Sequence, residues 1–121
     1  MNSGDLEKRT VNLSKNIIDL TRTLEVNSSN AHISFQLLRA STSIGANYRE
    51  ALEAESKKDF IHKLGICKKE AKESLYWLEL LSHDNKLQIK RLRILWKETR
   101  ELLLIFSKTV DTTKKNMIMN K

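Results

Sequence analysis

The chain has 121 residues, the size of one domain, and 22 Lys and Arg residues against 15 Asp and Glu residues give it a net charge of +7. Its single cysteine excludes an intramolecular disulfide, and no stretch approaches the roughly 20 apolar residues that span a membrane. Proline is absent and only 3 glycines are present, which disfavours folds built from tight turns and favours long helices. We therefore expect one soluble, cytoplasmic, all-α domain over residues 1–121, with no membrane association.

The first predicted helix spans about residues 5–26. Its apolar side chains recur at helical spacing along one face, and its four basic and four acidic residues cancel. The polar break that follows, residues 27–30, consists of Asn and Ser, which cap helix ends. This break is predicted to end the first helix and to start the second.

The second predicted helix spans about residues 31–55 and contains an unusual run of small side chains at 40–47. Gly45 within this run costs about 1 kcal/mol relative to alanine inside a helix, so a packing reason is expected. We predict that another helix approaches closely at this run. A local bend or a helix break is the alternative.

The third predicted helix spans about residues 57–81, with Ser56 as its N-cap and Asp59 three residues later, close to the capping-box pattern. Residues 82–85 form a predicted turn, and the fourth helix spans about residues 86–112, followed by a frayed, basic tail. Short connections between long helices force neighbours to lie antiparallel. The predicted fold is an antiparallel up-down-up-down four-helix bundle.

Patterns that indicate catalysis or metal binding are missing from the sequence. Di-metal bundles carry Glu-x-x-His pairs on two helices, whereas the nearest match here is one segment, Asp59 to His62, so neither a metal nor another cofactor is expected. Cys67 falls on the apolar face of the third helix, where a cysteine usually behaves as a small hydrophobic residue. We expect no enzymatic activity, no catalytic residue and no small-molecule substrate.

Positive charge is concentrated in the fourth predicted helix, where residues 86–110 hold seven basic residues and two acidic ones. Five of the basic residues follow at steps of four and three, which places them on one stripe: Lys86, Lys90, Arg93, Lys97 and Arg100. The stripe predicts a binding surface for nucleic-acid phosphates, because released counterions offset the repulsion between like charges. A solvated face, or one paired with acidic residues of a neighbouring subunit, is the alternative. Aromatic residues do not interleave the stripe, so base-specific readout is not expected.

Two motifs in the middle of the chain resemble a known family. The second helix carries RASTSIGAN..EA from Arg39 to Ala51, and the third carries KEA.E..YWLELL from Lys69 to Leu81. Together they look like the bacterial four-helix-bundle family that includes the 23S rRNA intervening-sequence proteins, with the diversity-generating retroelement accessory protein as a more distant relative. The resemblance covers helices two and three, whereas helices one and four agree in length and pattern.

The resemblance implies a ring-like homopentamer of four-helix bundles and a role tied to RNA. We hypothesise that the motifs supply close helix packing and a polar network, through eight residues: Arg39, Ser43, Gly45, Asn47, Glu50, Lys69, Glu70 and Glu73. Surface pairing with Lys69 and Arg49 is the expected role of the three glutamates. The sequence leaves open whether the network lies within a protomer or between protomers.

Two functions from different classes fit these observations. The first is a non-enzymatic homo-oligomer that binds RNA or another nucleic acid through basic surfaces. The second is a protein–protein interaction scaffold with an acidic or apolar partner. Tyr76, Trp77 and Trp96 are its candidate anchors, because Trp and Tyr often dominate interfaces. Burial of the two tryptophans in the core is the alternative.

Overall fold

The computed structural model describes residues 2–119. It contains four α-helices: α1 (Ser3–Thr23), α2 (Ser28–Leu52), α3 (Lys57–Asp84) and α4 (Ile89–Met119). A short 3-10 helix, Lys86–Gln88, connects α3 to α4, and no strand occurs within the described range. The all-α prediction is confirmed.

Side-chain caps fix where the helices begin. Asn27 Oδ1 accepts the backbone N–H of Asn30 at 2.8 Å at the start of α2. Ser56 Oγ accepts the N–H of Asp59 at 3.0 Å at the start of α3, as the sequence predicts. The first helix ends earlier than predicted because Leu24 is extended (φ −77°, ψ 148°) and turns into the core.

Contacts between α2 and α3 run in opposite directions along the two helices. Asn30, at the start of α2, hydrogen-bonds Asn85, just after α3. Glu50, at the end of α2, contacts Lys63 near the start of α3. The two helices therefore lie antiparallel. Because α3 packs between α2 and α4, and α1 closes the arrangement against α2 and α4, the fold is a four-helix bundle.

Leucine and isoleucine side chains from all four helices form the core, whose burial is the main source of stability. Tyr48 of α2 and Phe106 of α4 pack across the centre, with ring centroids 5.8 Å apart. Cys67 lies in the same core, and its thiol donates to the backbone oxygen of Ile44 at 3.5 Å. The prediction that Cys67 behaves as a small hydrophobic residue is confirmed.

The small-residue run of α2 allows close contact with α1. The helix continues through residues 40–47 without a break. A Cβ atom at Gly45 would lie 3.2 Å from Oγ1 and 3.3 Å from Cβ of Thr10 on α1. Gly45 therefore provides the predicted close packing, and it does so within one protomer.

Several helix ends differ from the prediction. α1 ends at Thr23, and α2 spans Ser28–Leu52 where 31–55 was expected. α3 continues through the predicted turn to Asp84, and Ser82 Oγ donates to the backbone oxygen of Leu78 inside this helix. α4 continues to Met119, beyond the expected end at residue 112, and neither Gly nor Pro interrupts it there. The last two residues of the predicted tail, Asn120 and Lys121, lie outside the described range.

Candidate nucleic-acid interface

The five basic residues predicted to form a stripe are all exposed, and we call them the basic row: Lys86, Lys90, Arg93, Lys97 and Arg100. Four of them lie on α4, whereas Lys86 lies in the 3-10 helix that precedes it. None of the five forms an ion pair with another residue of the range 2–119. Within the described protomer, no ion pair therefore offsets the positive charge of the row.

The two glutamates of α4, Glu98 and Glu101, pair with α1 and not with the basic row. Glu98 Oε1 lies 2.6 Å from Arg9 Nη2 of α1, and Glu101 Oε1 lies 3.1 Å from the same atom. Hydrogen bonding to Glu98 holds the pKa of the Arg9 guanidinium above its ordinary value, with a further contribution from Glu101. Both carboxylates within residues 86–110 thus bind α1, which leaves the other side of α4 basic.

A groove of about 310 Å³ runs between α3 and α4 beside the basic row. Its lining combines apolar, basic and acidic side chains: Glu79, Ser82, Ile89, Leu92, Arg93, Trp96 and Lys97. Two members of the row therefore border an apolar groove. A volume near 300 Å³ is at the lower end of small-ligand sites.

Trp96 lies among the cations of the row. Its half-buried indole lines the groove, and the guanidinium carbon of Arg100 lies 5.7 Å from the ring centroid, within cation–π range. The indole N–H is shielded from solvent and has no acceptor in the described part of the chain. The expectation that no aromatic residue interleaves the row is wrong: Trp96 follows Arg93 by three residues and precedes Arg100 by four, and this spacing was visible in the sequence.

The motif residues form two separate clusters between α2 and α3. Arg39 pairs with Glu73 and also with Glu70, whose Oε2 lies 3.5 Å from Arg39 Nη1. Glu50 lies apart from them and pairs with Lys63 at 3.1 Å. Of the eight motif residues, the structure therefore brings Arg39, Glu70 and Glu73 together within one protomer, whereas Glu50 lies apart from them.

The expected partners of these glutamates are wrong. Lys69 is exposed and forms no ion pair within the described range, and Arg49 Nε lies 3.9 Å from Glu7 of α1. Asn47 forms hydrogen bonds within α2: its Nδ2 donates to the backbone oxygen and to Oγ of Ser43, at 2.9 Å each. Ser43 and Asn47 thus stabilise α2 locally.

Comparison with known proteins places these features in a family. The sequence matches the family model of the 23S rRNA-intervening sequence protein over residues 5–108. The chain belongs to this family. The match includes both motifs and the whole basic row, so the resemblance carried by α2 and α3 is confirmed and extends to α1 and α4.

A solved structure shows the same fold. It is the 1.70 Å crystal structure of a protein of unknown function from the S23 ribosomal protein family of Bacteroides thetaiotaomicron VPI-5482. That protein is 33% identical to this chain, the TM-score is 0.76, and the likeness covers 87% of this chain and 97% of the other. No curated protein matches the sequence.

Two groups that could serve in catalysis have packed surroundings in this family member. Burial raises the pKa of the Cys67 thiol to about 12, so the thiol stays protonated at neutral pH. The rings of His32 and Trp77 are nearly perpendicular, with centroids 6.0 Å apart. Within residues 2–119, no three His, Cys, Asp or Glu side chains are grouped to hold a metal ion, and no helix is long and apolar enough to cross a bilayer.

Two exposed aromatic rings lie on α2 and α3. Phe35 of α2 is 66% exposed and Tyr76 of α3 is 54% exposed. Trp77, which follows Tyr76, is half-buried, and the centroids of these two rings lie 4.9 Å apart. The two tryptophans, Trp77 and Trp96, are therefore neither fully buried core residues nor freely exposed anchors.

Proposed function

We propose that this protein is a non-enzymatic member of its family that binds RNA through the phosphates, using the basic row of α4. The single observation that carries the proposal is an exposed row of cations that no carboxylate of the described protomer neutralises. Like charges at these spacings destabilise a helix slightly, so a row without internal partners is better explained by an external anion. The family's link to an rRNA intervening sequence makes RNA the favoured polyanion.

The length of the row suits a nucleic-acid backbone. Fourteen residue steps separate Lys86 from Arg100, or about 21 Å at 1.5 Å per residue. Each cation that neutralises a phosphate releases a counterion, so binding of this kind is strong at low salt and weakens steeply as salt rises. Contacts to phosphates supply affinity and orientation, but they do not read the base sequence.

We also propose that the protein acts as a homo-oligomer. The family resemblance implies a homopentamer. The exposed rings of Phe35 and Tyr76 support self-association, because buried aromatic side chains contribute much of the affinity at interfaces. Copies joined through α2 and α3 would leave α4 of each copy accessible. Several basic rows on one assembly would raise the affinity for a long RNA through multivalency.

The same two exposed rings, Phe35 and Tyr76, favour a second candidate function, a protein–protein scaffold with an apolar partner. Phe35 and Tyr76 then contact that partner instead of another copy of the chain. In this case RNA binding is absent or independent of the basic row. The two functions are therefore separated by what happens when the row is reversed in charge.

The test is a charge-reversal triple variant, Arg93→Glu with Lys97→Glu and Arg100→Glu, assayed against a structured RNA at two or more salt concentrations. We expect the affinity at low salt to fall at least about tenfold, and the slope of log K against log salt to decrease by about 3. The matched control reverses Lys15, Lys57 and Lys58, which are exposed and belong to α1 and α3. It changes the net charge equally and is expected to cost less affinity.

Equal losses in the two triple variants, or no RNA binding by the unaltered protein at micromolar concentration and low salt, would contradict the proposal. The native mass of the unaltered protein and of both variants is measured first. A monomer in all three contradicts the proposed self-association and leaves the RNA result to be judged by itself. Melting curves of the variants confirm that each one is folded.

A further inference from the structure

We propose that the groove between α3 and α4 holds one unpaired nucleotide of the RNA, and that guanine is the preferred base. This inference rests on the proposed function, because it adds a base contact to the phosphate contacts of the basic row. It follows from three properties of the groove: its apolar wall, its cations and its single carboxylate.

The apolar wall suits the face of a base. Ile89, Leu92 and Trp96 line the groove. An aromatic side chain can stack on any of the four bases, because every base has a π face. In a duplex, the base faces are stacked and the pairing edges are occupied. The groove is therefore accessible to a base from a loop, a bulge or a strand end, and not to one inside a helix.

The cations of the groove place the phosphate. Arg93 and Lys97 belong both to the groove and to the basic row, so a nucleotide whose base enters the groove has its phosphates beside the row. The guanidinium carbon of Arg100 lies 5.7 Å from the Trp96 ring centroid, so Arg100 extends the positive surface beyond the groove. A phosphate-bearing ligand thus matches the cations and the apolar wall together.

The carboxylate of the groove selects the edge of the base. Glu79 of α3 lines the groove together with Arg93 and Lys97 of α4, yet it forms no ion pair with a residue of the described range. A carboxylate accepts two parallel hydrogen bonds, and guanine presents two adjacent donors, the N1–H and the N2 amino group. Uracil offers a single N–H, and a purely anionic ligand would be repelled by Glu79.

The experiment uses tryptophan fluorescence of the full chain carrying Trp77→Phe, so that Trp96 is the reporter. Single-stranded trinucleotides UGU, UAU, UCU and UUU are titrated at low salt. We expect UGU to change the Trp96 emission and to bind roughly 5- to 100-fold more tightly than UUU, the range of one bidentate contact. A short duplex RNA that carries the same guanine in a base pair is expected to leave the emission unchanged.

Glu79→Gln is the variant that tests the base contact, and Glu55→Gln is its matched control, since Glu55 is exposed and lies outside the groove. Glu79→Gln should abolish the preference for UGU over UUU, whereas Glu55→Gln should keep it. Equal binding of the four trinucleotides, or the same preference in both variants, overturns the inference.

The outcomes for the groove and for the basic row are distinguishable. Salt-dependent RNA binding that is lost on reversal of the row, without a response of Trp96 emission, refutes the groove site and leaves the proposed function standing. Loss of all RNA binding by the unaltered protein refutes both. A Trp96 response that persists unchanged after reversal of the row overturns the inference, because Arg93 and Lys97 are the phosphate contacts of the groove.

Discussion

α2 and α4 are built on different principles. α2 has small side chains where it meets α1, and its charged residues Arg39 and Glu50 are each matched by residues of α3. α4 has large apolar side chains on its inner side and, on its outer side, cations that remain unmatched within residues 2–119. The difference indicates that the charges of α2 are matched within the protomer, whereas the outer cations of α4 form no ion pair within the described range.

The largest expected effect on stability comes from Gly45→Leu on α2. The first added carbon would already lie 3.2 Å from Thr10 Oγ1, so the larger side chain must displace α1. We expect the free energy of unfolding to fall by about 1–3 kcal/mol in urea denaturation.

Gly65→Leu on α3 is the matched control, because Gly65 is also within a helix but has no atom within 4 Å of the position of a Cβ. It is expected to keep or raise stability by up to about 1 kcal/mol, owing to the poor helix propensity of glycine. Similar destabilisation of both variants would show that the tight contact with α1 is not what Gly45 provides.

A somewhat smaller effect is expected at the buried amide pair that joins the start of α2 to the end of α3. Asn85 Nδ2 donates to Asn30 Oδ1 at 2.8 Å, and Asn30 Nδ2 donates back to Asn85 Oδ1 at 3.0 Å. Asn85→Ala removes the donor to Asn30 Oδ1 and leaves this buried oxygen unsatisfied. The free energy of unfolding should fall by about 1–2 kcal/mol. Asn12→Ala, at an exposed position of α1, serves as the control, and a loss of the same size there would argue against the pair.

The smallest effects sharpen the contrast between the charges of α2 and α4. Arg39→Ala removes the cation shared by Glu70 and Glu73 and should lower the unfolding free energy by up to about 1 kcal/mol. Lys97→Ala relieves repulsion within the basic row and should leave stability unchanged or raise it by a few tenths of a kcal/mol. Both differences should shrink in high salt, and a larger loss for Lys97→Ala than for Arg39→Ala would contradict the contrast.

Apolar periodicity and capping chemistry were sufficient to predict the bundle. The number of helices, the N-cap at Ser56 and the burial of Cys67 follow from local spacing, which the fold retains. The function of Gly45 was also visible, because a glycine inside a helix requires a packing reason. In these places local preference and tertiary structure agree.

Predictions that depend on how the helices are rotated against each other were less successful. Lys69 and Arg49 have the right charge to pair with the motif glutamates, but α3 directs Glu70 and Glu73 to Arg39, and α2 directs Arg49 to Glu7. The groove beside Trp96 arises from residues of α3 and α4 that are distant in sequence. The polar composition of residues 112–119 does not predict the last turns of α4, although polar side chains are compatible with a helix.

The burial of Cys67 has a practical consequence. It is the only cysteine of the chain, and its protonated thiol lies in the core. A cysteine introduced on the surface of α4 would therefore be the sole thiolate available to an electrophilic dye in the native protein. The wild-type background is thus ready for site-specific attachment of a spectroscopic probe, with the interior left untouched.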